Sequence, residues 1–241
     1  MGRSTVTLSA LAQRHGLEAG APRRLEALLR CVTDDDRAPT AVEGRDAILR
    51  DHLADSLVAL DLPQVRAATR IADLGSGGGF PGLPLAIALA GAEVALIESN
   101  GRKCEFIAHA ISACGASNAR AVHARIESWT EGLASCDLVV ARALASLPVV
   151  VEYAAPLLGI GGALVAWRGR RDAAEEAAGA GAAALLGMAP GPVAAVAPYP
   201  EALHRHLHVM TKVAATPDRF PRRPGVARKR PLGGPSDRRR R

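Results

Sequence analysis

Five glycines follow a short apolar run in the segment IADLGSGGGFPG, residues 71–82, and this segment could form a ligand-binding loop. Glycine lacks a Cβ and tolerates positive φ, so a backbone rich in it can approach a bound molecule closely. In an open parallel sheet, ligands bind beyond the carboxyl ends of the strands, and the loop after the first strand comes nearest to them. We therefore expect a ligand cradle built on Gly75, Gly77, Gly78, Gly79 and Gly82.

The residues after the glycines bear on which ligand the loop holds. Phe80 stands where the third glycine of a G-x-G-x-x-G dinucleotide fingerprint would be, and Pro81 and Pro84 follow it. A phosphate site needs free amides at a helix N-terminus, and proline removes one of them. The loop therefore disfavours a nicotinamide dinucleotide and suits a cofactor without a phosphate, such as S-adenosylmethionine.

A carboxylate, Glu98, ends the second predicted strand, 23 residues after Gly75. At that place a carboxylate can accept hydrogen bonds from both hydroxyls of a ribose. Nucleotide-dependent dehydrogenases share this spacing, so it indicates an adenosine ribose rather than a particular reaction. The alternative is a solvated acid at the end of a strand.

The elements that must position these residues are predicted in two blocks. Before residue 67, leucines recur at helical spacing in PRRLEALLRCV and GRDAILRDHLADSLVAL. From residue 67 onward, five strand candidates alternate with helices, which predicts a parallel sheet covered on both faces. These strands are TRIADL, EVALIES, ARAVHA, CDLVVAR and GGALVAWRG. Two more strand-like pieces in GPVAAVAPYPEALHRHLHVMTKV are joined too closely for a crossover helix, so we expect a terminal antiparallel hairpin.

The net charge of +6 is concentrated at the C-terminus. Residues 217–241 carry ten Lys and Arg against two Asp, contain Pro and Gly, and are poor in apolar side chains. Such a segment cannot bury enough surface to fold alone, so we expect it to be disordered. It would either contact RNA phosphates or solubilise the protein. We thus predict a helical extension over 1–66, a Rossmann-like core over 67–216 and a basic tail over 217–241.

Other features limit the class of protein. The chain has no uninterrupted apolar stretch of about 18 residues and no apolar signal-peptide region, so we expect a cytoplasmic protein that does not bind membranes. The four cysteines lack the C-x-x-C spacing of zinc or redox motifs. His204, His206 and His208 alternate along a predicted strand without a Cys or carboxylate cluster, and we predict no metal site.

Five motifs in order resemble the RsmG family, also called GidB, of bacterial methyltransferases. They are RDHLADSL at 50–57, IADLGSGGGFPGLPLAIA at 71–88, ARIES at 124–128, ARALASL at 141–147 and FPRRPGVARKRPL at 220–232. The resemblance covers about residues 40–232. It implies an α/β fold of the class I S-adenosylmethionine-dependent methyltransferases: a Rossmann-like, mostly parallel seven-stranded sheet with a terminal antiparallel hairpin, preceded by a small helical N-terminal extension. It also implies methylation of a guanine in 16S ribosomal RNA.

Particular residues take roles from this resemblance. With Glu98, the cofactor-binding residues would be Gly75, Phe80, Ile126, Glu127 and Arg142. Arg142 could hold either a cofactor carboxylate or an RNA phosphate with two parallel hydrogen bonds. RNA contacts would come from Arg102, Lys103, Arg222, Arg223, Arg228, Lys229 and Arg230. The family's usual NLT reads APT at 38–40, which removes an Asn that could form local hydrogen bonds, and the run 238–241 lies beyond the resemblance.

The implied reaction transfers a methyl group to N7 of guanine, in a monomer acting on 16S RNA or on a small-subunit particle. That nitrogen offers a lone pair without losing a proton, so we nominate no catalytic acid, base or nucleophile and expect positioning and electrostatics to suffice. Three alternatives stay open: a nucleotide-dependent oxidoreductase, a methyltransferase for another substrate, and a non-catalytic ribosome-assembly factor.

Overall fold

The N-terminal block is helical, as the leucine spacing predicts. The structure, a computed structural model, describes residues 6–233. Helix α1 spans Leu8–His15 and α2 spans Ala21–Asp34. The Thr7 hydroxyl caps α1 by accepting the Ala10 N–H, and Gly16 ends that helix in the left-handed conformation.

The next helical run, which reaches residue 66, changes its hydrogen-bonding pattern several times. Its pieces are α3 (Arg45–Ile48), a π-helical stretch (Leu49–Ala54), α4 (Asp55–Leu57), a 3-10 turn (Val58–Asp61) and α5 (Pro63–Arg66). π-helical stretches are rare in proteins, but those that occur are often found at functional sites. Two residues of this stretch, Asp51 and His52, contact Arg142 at the edge of the sheet.

Seven strands form one sheet in the order β3-β2-β1-β4-β5-β7-β6. They are β1 (Arg70–Leu74), β2 (Glu93–Glu98), β3 (Ala119–His123), β4 (Cys136–Arg142), β5 (Leu158–Arg168), β6 (Met188–Val196) and β7 (Arg205–Lys212). The first five pair in parallel, and β7 runs antiparallel to both β5 and β6. The predicted sheet and its terminal hairpin are confirmed. Strands β2 and β3 lie on one side of β1, and β4 and β5 lie on the other, so the strand order reverses between β1 and β4. In an open α/β sheet, such a reversal leaves a crevice at the carboxyl ends of the strands.

Helices cover both faces of the sheet. The remaining ones are α6 (Gly82–Ala88), α7 (Gly101–Cys114), α8 (Leu147–Ala154), α9 (Ala173–Leu185) and α10 (Val226–Lys229). One apolar cluster joins the N-terminal helices, α6 and α7 to one face, and a second joins α8 and α9 to the other. The side chains of β4 alternate between the clusters, with Leu138 in the first and Val139 in the second. The N-terminal helices are therefore a layer of the same core.

The expectation of disorder over 217–241 does not hold for the part of it that the structure describes. Phe220, Ala227 and Leu232 are buried in the cluster that contains α8 and α9. The segment has few apolar side chains, but it docks on an existing core and does not need one of its own. The final run, Arg238–Arg241, lies outside the described residues.

Across residues 6–233, no helix is both long and apolar enough to cross a membrane. The same residues contain no group of three or more His, Cys, Asp or Glu side chains placed to hold a metal ion.

Candidate active site

The glycine loop is fixed by the residue that precedes it, Asp73. Its carboxylate Oδ2 accepts the Gly82 N–H at 2.9 Å, and its backbone carbonyl accepts the Ser76 hydroxyl at 3.0 Å. The Gly75 N–H reaches across to the Ile97 carbonyl of β2 at 2.9 Å. Both ends of the loop are thereby tied to the sheet, and its middle is held at the carboxyl edge.

Three glycines of this loop leave no room for a Cβ, and two of them, Gly75 and Gly82, lie at its ends. Gly75 has φ +66°, and a Cβ there would lie 2.5 Å from Leu144 Cδ1. A Cβ at Gly82 would lie 2.6 Å from Asp73 Oδ2. The absence of side chains is thus a packing requirement at both positions, as well as a way to bring backbone close to a ligand.

Asp73 itself is fully buried. Burial raises the pKa of its carboxyl group to about 7, with the Gly82 hydrogen bond acting in the opposite direction. Its Oδ1 is one of the buried side-chain atoms in the described part of the chain that have no hydrogen-bond partner. No role was predicted for Asp73 from the sequence, although its place just before the glycine loop was a signal.

A cavity of about 400 Å³ opens beside the loop. Its walls come from the ends of β1 to β4 and the residues that follow them, from α7 and α8, and from the C-terminal segment, residues 217–233. They are Gly75, Gly77, Ile97, Glu98, Ser99, Lys103, Ala124, Arg125, Ile126, Glu127, Ala143, Leu144, Tyr153 and Arg228. We call it the loop cavity. It brings together four of the six predicted cofactor residues, namely Gly75, Glu98, Ile126 and Glu127.

Glu98 is not a solvated acid at a strand end. It is 7% exposed, its Oε2 accepts the Gly77 N–H at 3.1 Å, and its Oε1 accepts the Asn100 N–H at 2.8 Å. These bonds orient the carboxylate between the glycine loop and the start of α7. Each carboxylate oxygen can accept a further hydrogen bond, so a pair of ligand hydroxyls could still bind.

The other two predicted cofactor residues, Phe80 and Arg142, are absent from the walls of the loop cavity. Arg142 lines a second cavity of about 800 Å³, and Phe80 lies under its guanidinium, 5.6 Å from carbon to ring centroid. We call this the arginine cavity. It is lined by Asp51, His52, Asp55, Arg142, Ala143, Leu144, Ala145, Ser146, Trp167, Arg168, Gly169, Arg170, Glu175, Arg205 and His206. The two cavities share Ala143 and Leu144, which follow β4.

The N-terminal helices orient Arg142. Its Nη1 donates to Asp55 Oδ2 at 2.8 Å and to the Asp51 carbonyl at 2.9 Å. Trp167 of β5 donates to the Asp55 carbonyl at 2.7 Å, which ties the same helical run to the sheet. The Arg142 guanidinium is partly buried and has several hydrogen-bond partners, so its orientation is fixed.

His52 is neutral near pH 7, because burial and then the Arg142 guanidinium lower its pKa to about 4. Its Nδ1 lies 3.2 Å from both Arg142 Nη2 and the Asp51 carbonyl. Its Nε2 lies 2.6 Å from Thr40 Oγ1, and the ring stacks on Phe80 at 4.6 Å. Thr40, which the segment APT retains, thus makes the local contact there.

The predicted RNA-binding residues are distributed over several places. Arg102 and Lys103 are exposed at the start of α7, and Lys103 reaches the loop cavity. Arg223, Lys229 and Arg230 are exposed in the C-terminal segment. These cations are accessible to a polyanion.

Two residues of that predicted set have partners within the chain. Arg222 makes a two-pronged ion pair with Glu152 of α8, a carboxylate that is 2% exposed. Arg228 donates to the Leu144 carbonyl at 3.0 Å and lines the loop cavity. Glu127, which also lines the loop cavity, accepts the Gly225 N–H at 2.8 Å. These internal contacts could not be predicted from the sequence, because a run of basic residues does not indicate which of its side chains turn inward.

The architecture of the chain is that of the class I methyltransferases. A methyltransferase from Aquifex aeolicus, described as SAM dependent, matches with a TM-score of 0.53 and 14% identity over 69% of this chain and 93% of that one. Fibrillarin from Aeropyrum pernix matches with a TM-score of 0.52 and 15% identity over 66% of this chain and 73% of that one. At these identities the likeness concerns the fold.

Sequence comparison identifies the family. The model of the GidB family, described as rRNA small subunit methyltransferase G, matches residues 34–202. Ribosomal RNA small subunit methyltransferase G of Rubrobacter xylanophilus is 44% identical over 195 residues, which cover 78% of this chain and 75% of that protein. The protein of the same name from Chloroflexus aggregans is 44% identical over 198 residues, covering 80% and 82%. The chain belongs to the GidB family, and it is an S-adenosylmethionine-dependent methyltransferase of small-subunit ribosomal RNA.

Proposed function

We propose that the chain transfers the methyl group of S-adenosylmethionine to N7 of a guanine in 16S ribosomal RNA. The observation that carries this proposal is the pair of adjoining cavities that share Ala143 and Leu144. One has a glycine cradle and a fixed carboxylate, and the other has arginines and a tryptophan.

The loop cavity fits the cofactor in size and in chemistry. Its volume of about 400 Å³ lies in the range of small-molecule sites. Glu98 would accept the ribose hydroxyls, Gly75 would lie against the methionine end, and Ile126 and Glu127 would border the adenine. Bound there, S-adenosylmethionine supplies an electrophilic methyl group on its sulfonium.

The arginine cavity suits a nucleotide that leaves its stack. Arg170 and Arg205 can meet phosphate oxygens, and Trp167 gives the wall an aromatic surface. Arg142 lines the arginine cavity next to the shared Ala143 and Leu144, where it would hold the guanine toward Leu144. We therefore reassign Arg142 from a cofactor contact to a contact with the substrate, and Phe80, buried between His52 and Arg142, to a residue that supports both side chains.

No residue is required to remove a proton, because N7 carries a lone pair. His52 is consistent with this, since a pKa near 4 makes its ring a weak base at neutral pH. The chain would act by orienting the nucleotide and by excluding water.

Exposed cations around the two cavities would bind neighbouring phosphates. We propose this role for Arg102, Lys103, Arg223, Lys229 and Arg230, and not for Arg222, whose charge is paired with Glu152. We further propose that the chain works as a monomer in the cytoplasm on 16S RNA or on the small-subunit particle.

The reaction can be tested with purified protein. The chain would be incubated with isotopically labelled S-adenosylmethionine and small subunits from a strain that lacks the gene, and the RNA would be digested and analysed by mass spectrometry. We expect label in 7-methylguanosine. Label in another nucleoside would contradict the assignment to N7, and binding of S-adenosylmethionine without transfer would favour the non-catalytic assembly factor.

A further inference from the structure

We infer that the C-terminal segment, residues 217–233, is part of the cofactor site and that Arg228 binds the carboxylate of the methionine end of S-adenosylmethionine. This inference rests on the proposed function. The segment lies beyond residues 34–202, which match the family model.

The segment has a fixed position relative to the sheet. Phe220 and Leu232, near its two ends, are buried in the core. Between them Arg222 pairs with the buried Glu152 and also donates to the Arg230 carbonyl at 2.8 Å. A segment held at several points along its length can place a side chain reproducibly.

Arg228 lines the loop cavity and contacts the residues that follow β4. Its guanidinium donates to the Leu144 carbonyl at 3.0 Å, and Leu144 is the residue that a Cβ on Gly75 would strike. Glu98 lies on β2 and Ile126 follows β3, so the ribose and adenine would lie beside those two strands. The methionine end would then lie over Gly75, beside Arg228.

The charges of the cavity make a cation necessary at that end. Glu98 and Glu127 both line the cavity, and two carboxylates oppose the binding of a third unless a positive charge offsets them. Arg142 is paired with Asp55 and does not line the loop cavity. Lys103 and Arg125 lie on the side of β2 and β3. Arg228 is the cation at the methionine end among the described residues, and a guanidinium matches a carboxylate with two parallel hydrogen bonds.

Isothermal titration calorimetry with two ligands tests the contact directly. S-Adenosylhomocysteine carries the amino-acid carboxylate, whereas 5′-methylthioadenosine has the same adenosine and sulfur without it. We expect Arg228→Ala to weaken binding of S-adenosylhomocysteine by about tenfold or more, since a charge-assisted contact is lost. Its affinity for 5′-methylthioadenosine should stay within about twofold of the wild type. Arg228→Lys should recover part of the loss.

Arg219→Ala is the matched control, because Arg219 belongs to the same segment, is exposed and does not line the loop cavity. It should bind both ligands as the wild type does. An Arg228→Ala protein that binds S-adenosylhomocysteine with wild-type affinity would overturn the inference, and so would an equal loss for both ligands, which would indicate a structural role. A wild-type protein that binds neither ligand would instead contradict the proposed function.

Discussion

Arg142 and Asp55 form an ion pair of 2.8 Å that joins the end of β4 to the N-terminal helices. The side chains are 15% and 7% exposed, so both charges are largely withdrawn from water. Asp55 Oδ1 has no hydrogen-bond partner, although Arg205 Nε approaches it to 3.5 Å. The N-terminal helices, through Asp55, thus hold Arg142 in place next to Ala143 and Leu144, which the two cavities share.

We predict that Arg142→Ala stays folded but loses methyl transfer by about a hundredfold or more, because a misplaced nucleotide is costly to the rate. Stability should fall by about 3 kcal/mol, since Asp55 is left buried without its main partner. Circular dichroism, urea unfolding and methyl transfer to small subunits would measure the three effects. Binding of S-adenosylhomocysteine should change little, and near-normal transfer would contradict the role.

The glycine at position 75 gives a second prediction. Gly75→Ala places a methyl group against Leu144 at a positive φ, which costs about 1–2 kcal/mol before any clash. We expect the affinity for S-adenosylhomocysteine to fall by about tenfold in calorimetry. Gly91→Ala is the matched control, because a Cβ there meets nothing within 4 Å. Equal affinities of the two variants would contradict the assigned cradle.

Asp73 predicts a pH dependence of stability. Its pKa is about 7 in the folded protein and near 3.8 when exposed, so the folded state holds the extra proton between these values. The stability that this group contributes is therefore present below pH 4 and is lost as the pH rises through 7. Asp73→Asn keeps an oxygen for the Gly82 N–H and does not ionise. Urea unfolding from pH 5 to pH 8 should show the variant gaining stability relative to the wild type, whereas a constant difference would refute the prediction.

The anchor of the C-terminal segment gives a fourth prediction. Arg222→Ala leaves the Glu152 carboxylate buried without its partner, which should destabilise the protein by about 3 kcal/mol and expose the segment to trypsin. The double variant Arg222→Ala/Glu152→Gln should recover part of the stability, because the unpaired charge is removed. Arg223→Ala, at an exposed neighbour, is the control. Wild-type protease resistance in Arg222→Ala would argue against the anchor.

The sheet could be predicted from sequence because its signals are local. CDLVVAR predicts a strand at 136–142, and β4 has those bounds, since apolar side chains fill both faces there. The glycine loop and Glu98 were likewise assigned from their places after β1 and β2, and both line the loop cavity. The place of each residue at the sheet edge follows from the order in which strands and helices alternate along the chain, and that order can be recognised in the sequence.

Directions of side chains could not be predicted in the same way. Arg142 ends β4, but it pairs with Asp55, 87 positions earlier in the chain, and lines the arginine cavity instead of the loop cavity. Arg222 and Arg228 lie in one basic run, yet one pairs with a buried glutamate and the other reaches the loop cavity. Such choices depend on long-range partners, and a charge pattern does not encode them.

A map of the methylated guanines in 16S ribosomal RNA would show directly whether this chain methylates N7 of a guanine there. The RNA would come from a strain deleted for the gene and from the same strain carrying either the wild-type chain or Arg142→Ala. We predict that one 7-methylguanosine disappears on deletion, returns with the wild-type chain and stays absent with Arg142→Ala. An unchanged set of methylated guanines in the deletion strain would contradict the account.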